Sequence, residues 1–293
     1  MLIVSFEGGL GNQMFQYAFF KALQFHYPDI YVLADLSYID SGVHNGFELS
    51  RVFGIHMDLC QLEDVAKYSE RCPKGITGYR LLNCLYSLRR CIIGQKTSYI
   101  RQENAVIYYP EVFQLNPLYS YYFKGVWANE NYFSDIKTSL LKDFLFTGEL
   151  SEINKELADM IKNTDSVSIH LRAGDYIQYS YDICDGQYYK KAIEYIKTKI
   201  KDPTFFVFSD DIILAKNILN FDISMCFIDN NVEENSFRDM QLMSLCKHNI
   251  IANSTFSFWG AYLNGNENKI VIAPQKLAGD CIYPYKCENW ILF

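Results

Sequence analysis

The residues of this chain that could bind an anion and move a proton lie together near position 170. The segment Ser166–Tyr176 reads SVSIHLRAGDY, and its apolar residues alternate with polar ones as in a β-strand. His170 and Arg172 therefore project from the same face, and the strand runs into a glycine turn that carries Asp175. The Arg172 guanidinium suits phosphate oxygens, and a carboxylate beside it could accept a proton. The alternative is an ordinary strand whose Arg172 pairs with Asp175 in a solvated turn.

Two further predicted strands also end in polar residues. The strand Thr204–Phe208 is followed by Ser209, Asp210 and Asp211. The strand 249–252 is followed by the residues of a helix start: Asn253, Ser254, Thr255 and Phe256. A helix N-terminus attracts anions, although every such helix also needs an ordinary N-cap. Ligands of open α/β sheets bind at the carboxyl ends of strands. The three ends together predict a nucleotide diphosphate site, with Asp210 and Asp211 near the base or ribose.

The first strand of the chain also leads into a glycine turn. Strands over Leu2–Phe6 and Ile30–Ala34 flank a helix, which is the start of a Rossmann-like half. The turn and the helix start supply three more candidate ligand contacts: Gly9, Asn12 and Gln13. Met14 stands where a dinucleotide fingerprint has its third glycine, and no Gly-Lys-Ser/Thr follows. The pattern therefore supports neither NAD nor a P-loop.

The other elements are predicted from their periodicity and caps. The predicted helices include Leu62–Tyr68, Tyr79–Cys91, Tyr132–Phe144 and one that Ser151 caps, and Tyr122–Trp127 is a predicted strand. From Ser166, strands and helices alternate to a last strand at Lys269–Ala273, with a Ser236/Asp239 capping box at one helix start. Such βα units predict a parallel, doubly wound sheet. We therefore predict two Rossmann-like α/β domains, residues 1–164 and 165–293, facing across a cleft.

Composition excludes several classes of protein. Lys and Arg total 27 against 34 Asp and Glu, a net charge of −7, which argues against nucleic acid as a partner. The nine cysteines include no Cys-x-x-Cys pair, which argues against zinc and disulfides and for a reducing compartment. No apolar run approaches the roughly 20 residues that span a bilayer, and the first residues lack the features of a signal peptide. We therefore predict a cytoplasmic protein without a transmembrane segment.

Basic residues concentrate in one region of the chain, at Arg80, Arg89, Arg90, Lys96 and Arg101. They could face a membrane or a lipid-linked acceptor, which would place the protein at the inner face of the membrane. The alternative is a solvated helix face.

Five segments resemble the bacterial α-1,2-fucosyltransferases, glycosyltransferase family 11. They are GGLGNQMFQYAF at 8–19, GVWANENYF at 125–133, HLRAGDY at 170–176, FSDD at 208–211 and DMQLMSLCKHNIIANSTFSFWGAYLN at 239–264. The resemblance covers most of the chain and is least clear over 37–116. It implies a two-domain GT-B architecture whose second domain binds GDP-fucose. It also implies transfer of L-fucose with inversion, and without a metal, to the 2-hydroxyl of a galactoside.

This resemblance also implies partners, and the chain departs from the family pattern in a few places. The acceptor would be a galactose-terminated oligosaccharide or a lipid-linked glycan, in surface glycan synthesis. The family usually has a second arginine where this chain has Ala173, and tryptophans where it has Phe258 and Tyr262. These departures keep the aromatic bulk but leave Arg172 without a neighbouring cation.

The departing diphosphate of a sugar nucleotide must be neutralised by a metal ion or by fixed positive groups. The chain has no Asp-x-Asp pair, so we assign this role to Arg172 and the helix start at Ser254, with no metal and no cofactor besides the donor. Asp175 is the first candidate for the general base and Glu7 the second, whereas His170 positions its neighbours. An aromatic wall for the deoxysugar could come from Phe256 or Trp259, although the favoured role of Trp259 is packing in the core.

Three other functions are weighed against this one. A fucosyltransferase that forms another linkage would share every feature above. An NAD-dependent oxidoreductase would need an acid at the end of the second strand, where Asp35 stands, but its glycine pattern is incomplete. A non-catalytic sugar-binding module would more often be a β-sandwich, and the sequence does not alternate in that way.

Overall fold

The computed structural model describes residues 1–39, 44–68, 79–105, 107–172, 184–278, 281–282, 287 and 289–293. The chain forms two compact units, Met1–Leu145 and Phe146–Phe293. Each unit is built around a parallel sheet. The predicted boundary at 164 lies later, after the helix Glu152–Lys162. That helix belongs to the second unit because its Ala158 and Ile161 side chains pack against buried residues there, such as Phe206.

The first unit has a four-stranded parallel sheet in the order β2-β1-β4-β3. The strands are β1 Leu2–Ser5, β2 Val32–Asp35, β3 Lys96–Arg101 and β4 Tyr119–Lys124. Its helices are α1 Leu10–His26, α2 Leu49–Phe53, α3 Leu62–Tyr68, α4 Tyr79–Ile93 and α5 Lys137–Asp143. The predictions for α3 and α4 are confirmed, although α4 runs to Ile93.

Two predictions in the first unit were wrong in detail. Strand β4 ends at Lys124 instead of at Trp127, which has a positive φ of 58° and so cannot continue the strand. The Trp127 ring instead stacks on Phe19 of α1, with 4.2 Å between ring centroids. The helix predicted over Tyr132–Phe144 is two short 3-10 turns followed by α5, and Asn129 caps the first turn.

The second unit has a six-stranded sheet in the order β12-β9-β8-β5-β6-β7, and every pair in it is parallel. Its strands are β5 Asp165–Leu171, β6 Pro203–Ser209, β7 Met225–Ile228, β8 His248–Ile250, β9 Val271–Ala273 and β12 Ile291–Leu292. A separate antiparallel pair is formed by β10 Lys276–Ala278 and β11 Cys281–Ile282. The helices are α6 Glu152–Lys162, α7 Gly186–Lys199, α8 Ile212–Ile218, α9 Phe237–Leu245 and α10 Thr255–Tyr262.

The doubly wound α/β class predicted for both halves is confirmed, but the prediction that Lys269–Ala273 is the last strand was wrong. The chain returns after it, and β12 pairs with β9 as an edge strand of the sheet. Two-residue strands such as Ile291–Leu292 are too short for periodicity to reveal.

Strand β5 lies inside the second unit with both faces covered. On one face Val167, Ile169 and Leu171 pack with α7 residues such as Tyr189 and Ile193. On the other face Ser166, Ser168 and His170 are buried, and Asn249 donates from Nδ2 to the Ser168 hydroxyl at 2.8 Å. A strand buried on both faces is held in register along its length, which fixes where its carboxyl end lies.

Two further expectations from the sequence concern disulfides and membrane-spanning helices. The following described cysteines are in no disulfide: Cys60, Cys84, Cys91, Cys184, Cys226, Cys246 and Cys287. Across the described ranges, no helix combines the length and the apolar character needed to cross a bilayer.

Candidate active site

The strand order of the second unit contains a topological switch point beside β5. From β5 the chain moves to β6 and β7 on one side, and it then crosses to β8 and β9 on the other. In sheets of this kind the crevice outside the carboxyl ends of the two strands at the reversal is the usual ligand position. Arg172 follows β5 and Asn253 follows β8, so two of the predicted polar ends flank the switch point.

Arg172 and Asp210 form an ion pair at this edge. The register pairs Leu171 with Ser209, so the residues that follow lie side by side, and Arg172 Nη1 is 3.0 Å from Asp210 Oδ2. The two side chains are 28% and 27% exposed, so solvent, or a ligand from solvent, reaches both. The guanidinium is therefore oriented by a carboxylate at a place where an anion can approach it.

The third polar end, after β8, starts helix α10 beside the end of β5. The register pairs Ile169 with Ile250, and Phe256 and Ser257 in the first turn of α10 contact His170. Ser254 is the N-cap residue of α10, but its side chain does not cap the helix. The start of α10 therefore lies near the strand end that carries Arg172, and a helix N-terminus favours an anion.

His170 links β5 to α10. Its Nδ1 and the Ser257 hydroxyl share a hydrogen bond of 2.5 Å, its carbonyl oxygen accepts one from the Tyr189 hydroxyl at 3.0 Å, and its ring centroid lies 5.5 Å from that of Phe256. Burial and the Arg172 charge lower the pKa of His170 to about 3. A neutral imidazole with so low a pKa is a poor proton acceptor at neutral pH, so His170 positions the strand end instead of exchanging protons.

The aromatic candidates differ in accessibility. Phe256 is half-buried, in the first turn of α10. Trp259 is fully buried and packs edge-on against Phe258 and Tyr262. Trp259 therefore cannot form a wall against a sugar, and Phe256 is the candidate that remains.

Ser209 and Asp211 are engaged locally. Asp211 is the N-cap of α8, and its Oδ1 accepts a hydrogen bond from the Leu214 N–H at 2.9 Å. The Ser209 hydroxyl accepts one from the Asp211 N–H at 3.1 Å. Of the paired acids predicted to hold base or ribose, Asp211 thus has a structural role and Asp210 pairs with Arg172.

The first-unit candidates surround the glycine turn before α1. Gly8 has a φ of +80°, and an added Cβ would lie 2.5 Å from Asn12 Nδ2, so only glycine fits beside that side chain. Gly9 is the N-cap of α1. Gln13 is fully buried, donates to the carbonyl oxygens of Gly8 and Gly46, and accepts from the Glu48 N–H. Gln13 therefore fixes the turn and has no donor left for a ligand.

Of the two candidates for the proton acceptor, Glu7 lies in the described part of the chain and Asp175 does not. Glu7 forms an ion pair with Lys124, with 3.3 Å between Oε2 and Nζ. Asp175 lies outside the described residues, so its assignment as general base stays a prediction.

A fourth strand, β7, also ends in polar residues, and these were not among the candidates predicted from the sequence. Asn230 and Asn231 follow that strand; Asn154 of α6 donates to Asn231 at 2.8 Å, and Asn231 donates to the Asp239 carboxyl at 2.8 Å. Burial raises the pKa of Asp239 to about 7 although the Asn231 hydrogen bond acts to lower it. The Ser236/Asp239 capping box was therefore wrong: in the described part of the chain Asp239 binds Asn231. The Asn-Asn pair at a strand end was the available signal.

The raised pKa of Asp239 makes a testable contribution to stability. In the unfolded chain this carboxyl ionises near pH 4, whereas in the folded protein it stays protonated until about pH 7. The folded state thus binds more protons in this window, and stability is lost as pH rises through it. We expect Asp239→Asn, which is uncharged at every pH, to gain stability relative to wild type between pH 4 and 7 and to gain nothing further above pH 7.

Urea unfolding at a series of pH values measures this difference. The exposed Asp159→Asn variant is the matched control and should show no such trend. A constant difference between the Asp239→Asn variant and wild type would contradict the raised pKa.

The sequence led to the expectation that the reaction needs no metal ion. Within the ranges given above, no three His, Cys, Asp or Glu side chains are grouped so as to hold a metal ion. Metal independence of the reaction stays a prediction, and it is tested below.

The two Rossmann-like units define a GT-B-type fold, and a cation and a helix N-terminus lie at the switch point of the second unit's sheet. A crystal structure of NodZ alpha-1,6-fucosyltransferase co-crystallized with GDP is similar in fold. It has a TM-score of 0.51 and 12% identity, and the match covers 88% of this chain and 91% of that one.

The sequence profile of glycosyl transferase family 11 matches residues 101–291. This chain belongs to glycosyl transferase family 11. It is 33% identical over 284 residues to an alpha-1,2-colitosyltransferase of Escherichia coli, with 94% of this chain and 91% of the relative covered.

Two other relatives extend the comparison. The O-antigen biosynthesis glycosyltransferase WbnK of Escherichia coli is 31% identical, with 97% of this chain and 98% of the relative covered. Galactoside 2-alpha-L-fucosyltransferase Sec1 of Mus musculus is 24% identical, with 91% and 65% covered. The family predicted from the five sequence segments is thereby confirmed.

Proposed function

We propose that this protein transfers L-fucose from GDP-fucose to the 2-hydroxyl of a galactoside, with inversion at the sugar carbon. The observation that carries the proposal is the position of Arg172, which is paired with Asp210 at the switch point of the second-unit sheet and lies near the start of α10. Family membership supports a glycosyl transfer. The names of two relatives, an alpha-1,2-colitosyltransferase and a galactoside 2-alpha-L-fucosyltransferase, support the linkage.

In the proposed reaction the bond between the sugar carbon and the phosphate oxygen breaks as the acceptor oxygen attacks from the opposite face. Negative charge grows on the departing diphosphate, and the Arg172 guanidinium and the first N–H groups of α10 would stabilise it. Asp175 would take the proton from the acceptor hydroxyl. Phe256 would cover the apolar edge of the deoxysugar. GDP leaves as the second product, so no cofactor besides the donor is needed.

Transfer of colitose is a second candidate, because the 33% identical relative carries that sugar in its name. Colitose is the 3-deoxy analogue of L-fucose. A site that hydrogen-bonds the 3-hydroxyl of fucose discriminates strongly against a donor that lacks it, whereas a site without that bond accepts both. The two functions therefore differ in the donor and share the residues at the strand ends.

The acceptor is proposed to be a glycan of the cell surface, carried as a galactose-terminated oligosaccharide or on a lipid. The support is a relative named for O-antigen biosynthesis. We propose that the protein works in the cytoplasm, where sugar nucleotides and the growing glycan meet at the inner face of the membrane.

The purified protein should form a disaccharide linkage with GDP-fucose and a β-galactoside, and NMR of the product identifies the linked carbon. The matched control is the 2-deoxygalactoside, which should give no product because the attacking hydroxyl is missing. Transfer to the 2-deoxygalactoside would place the linkage elsewhere, and turnover with GDP-colitose but not GDP-fucose would favour the second candidate. GDP should raise the melting temperature and NAD should not; the reverse would point to an oxidoreductase.

We expect the transfer rate to be unchanged in excess EDTA, because Arg172 and the start of α10 supply the positive field that a divalent ion would otherwise provide. The measurement is the initial rate of GDP release with and without chelator. Loss of activity that returns only on addition of manganese or magnesium would contradict this mechanism.

A further inference from the structure

Helix α4 of the first unit is apolar on two opposite faces, and the described part of the chain covers one of them. On the covered side Leu82 and Tyr86 pack against the core around Ile3 and Tyr122. On the other side Leu81, Leu85, Leu88 and Ile92 are between 60% and 76% exposed. Their spacing of four, three and four residues makes one continuous stripe along the helix. We call these four residues the α4 stripe.

The orientation of α4 is fixed by a buried cation. Arg90 is 6% exposed, and its Nη1 donates to the carbonyl oxygen of Ala66 at 2.5 Å and to that of Lys67 at 3.3 Å, at the end of α3. Because Arg90 and Tyr86 hold one side of α4 against the unit, the α4 stripe is held on the opposite side.

The segment of sequence that carries the α4 stripe is positively charged. From Tyr79 to Arg101 the sequence contains five Arg or Lys and no Asp or Glu, in a protein with a net charge of −7. Arg89, Lys96 and Arg101 are exposed. The acids of the adjoining helix, Glu63 and Asp64, lie in the first turn of α3, whereas Arg90 contacts its last turn.

A depression of about 340 Å³ lies at the carboxyl end of α4 and continues this surface. It is lined by Ser87, Arg90, Cys91, Gln95, Lys96, Thr97 and Tyr119, with two cations and no carboxylate. At about 100° per residue, Ser87 and Cys91 lie around the helix axis between Arg90 and the α4 stripe, so an anionic group in the depression would lie at the flank of the stripe.

We propose that α4 is the surface by which this protein binds an anionic lipid bilayer, with the α4 stripe in the outer acyl region and the flanking cations among the headgroups. An exposed apolar helix face rimmed by Lys and Arg is the composition of an interfacial helix. A second copy of the chain fits the surface less well, because a two-fold interface would bring two segments that each carry cations and no acids against one another. A bilayer with negative headgroups complements both features.

Flotation with vesicles tests the proposal on the full-length protein. The protein should bind vesicles of phosphatidylglycerol mixed with phosphatidylcholine, and binding should weaken with added salt. Phosphatidylcholine vesicles should bind it far less. Absence of binding to the anionic vesicles at low salt would overturn the proposal.

Two double variants with matched controls locate the surface. Leu85→Ser/Leu88→Ser should weaken binding by about tenfold to a hundredfold, because each leucine transferred out of water strengthens binding by roughly tenfold. The control is Ile153→Ser/Ile213→Ser, which removes two exposed apolar residues of α6 and α8.

Arg89→Gln/Lys96→Gln should weaken binding by about twentyfold, at roughly fivefold per cation. The control is Lys190→Gln/Lys197→Gln, which changes net charge equally on exposed positions of α7.

Sedimentation and the transfer assay distinguish the remaining outcomes. If sedimentation shows that the wild-type protein is a dimer and the Leu85→Ser/Leu88→Ser variant is a monomer, a second copy covers the α4 stripe and the proposal is overturned. Equal loss of binding in the test and control variants would overturn it too. Transfer to a soluble β-galactoside should be unchanged in both α4 variants, so a failed transfer assay and a failed vesicle assay are distinguishable.

Discussion

Replacing Arg172 with alanine is expected to reduce transfer by roughly thirty- to several-thousandfold, because losing one partner of a hydrogen-bonded charge pair costs about 2–5 kcal/mol. Arg172 is the residue at the switch point whose guanidinium is both oriented, by Asp210 at 3.0 Å, and accessible. Ala173 supplies no second cation. The measurement is kcat/KM for GDP-fucose, together with the Kd for GDP.

The matched control for Arg172 lies at the other end of the same strands. Lys247, just before β8, pairs with Asp165 at the start of β5, with 2.7 Å between Nζ and Oδ1. Lys247→Ala removes a cation from a similar ion pair at the amino edge of the sheet, where no ligand is proposed. It should leave kcat/KM within a few-fold of wild type. Near-normal transfer by a folded Arg172→Ala protein would show that the phosphate is held elsewhere.

Two further variants separate charge from geometry at this position. Arg172→Lys keeps the charge but not the two-pronged guanidinium, so it should recover only part of the activity. Arg172→Ala leaves the Asp210 carboxylate facing the diphosphate without its partner. Arg172→Ala/Asp210→Asn should therefore transfer faster than Arg172→Ala alone, by several-fold. A slower double variant would show that Asp210 contacts the ligand by itself.

Asp175→Asn is expected to lower kcat by about a hundred- to ten-thousandfold while changing the Kd for GDP little, because it removes the general base and keeps the size of the side chain. Asp175 follows Arg172 by three residues in the sequence. The described acids of the neighbouring strand end have other tasks, since Asp210 pairs with Arg172 and Asp211 caps α8.

Glu7→Gln is the comparison for Asp175→Asn. Glu7 is paired with Lys124 in the first unit, so its loss should cost at most a few-fold in kcat if Asp175 is the base. Near wild-type turnover by Asp175→Asn combined with a large loss in Glu7→Gln would exchange the two assignments. A large loss in both variants would mean that both carboxylates are needed, which would contradict a mechanism with a single general base.

Much of the second unit was predictable from local pattern. Val167, Ile169 and Leu171 have the period of a buried strand, and all three are buried in β5. The N-cap at Ser151 and the bounds of β7 were also predicted, because caps and short apolar runs are local signals. Family segments then identified the family, which the sequence profile and relatives confirm.

The roles of single side chains were less predictable, because they depend on partners distant in sequence. Gln13 was predicted to contact a ligand, and it instead holds Gly46 and Glu48 in place. Trp259 was weighed between a sugar wall and the core, with the core favoured, and full burial confirms the core. The low pKa of His170 follows from burial at the strand end and from Arg172. Burial of this kind is a property of the packed fold.

The sequence by itself determined most of the strands that hold the candidate site, the polar residue types at three of their ends and the family of the protein. Only the tertiary structure decided which ends are neighbours, since period-two alternation reports the face of a strand but not its place in the sheet. The order β8-β5-β6-β7 brings Asn253, Arg172, Asp210 and Asn231 to consecutive positions along one edge, from strands that the sequence separates by many residues. Strand order is set by how helices pack on both faces, and that packing places the Arg172–Asp210 ion pair at the switch point beside β5.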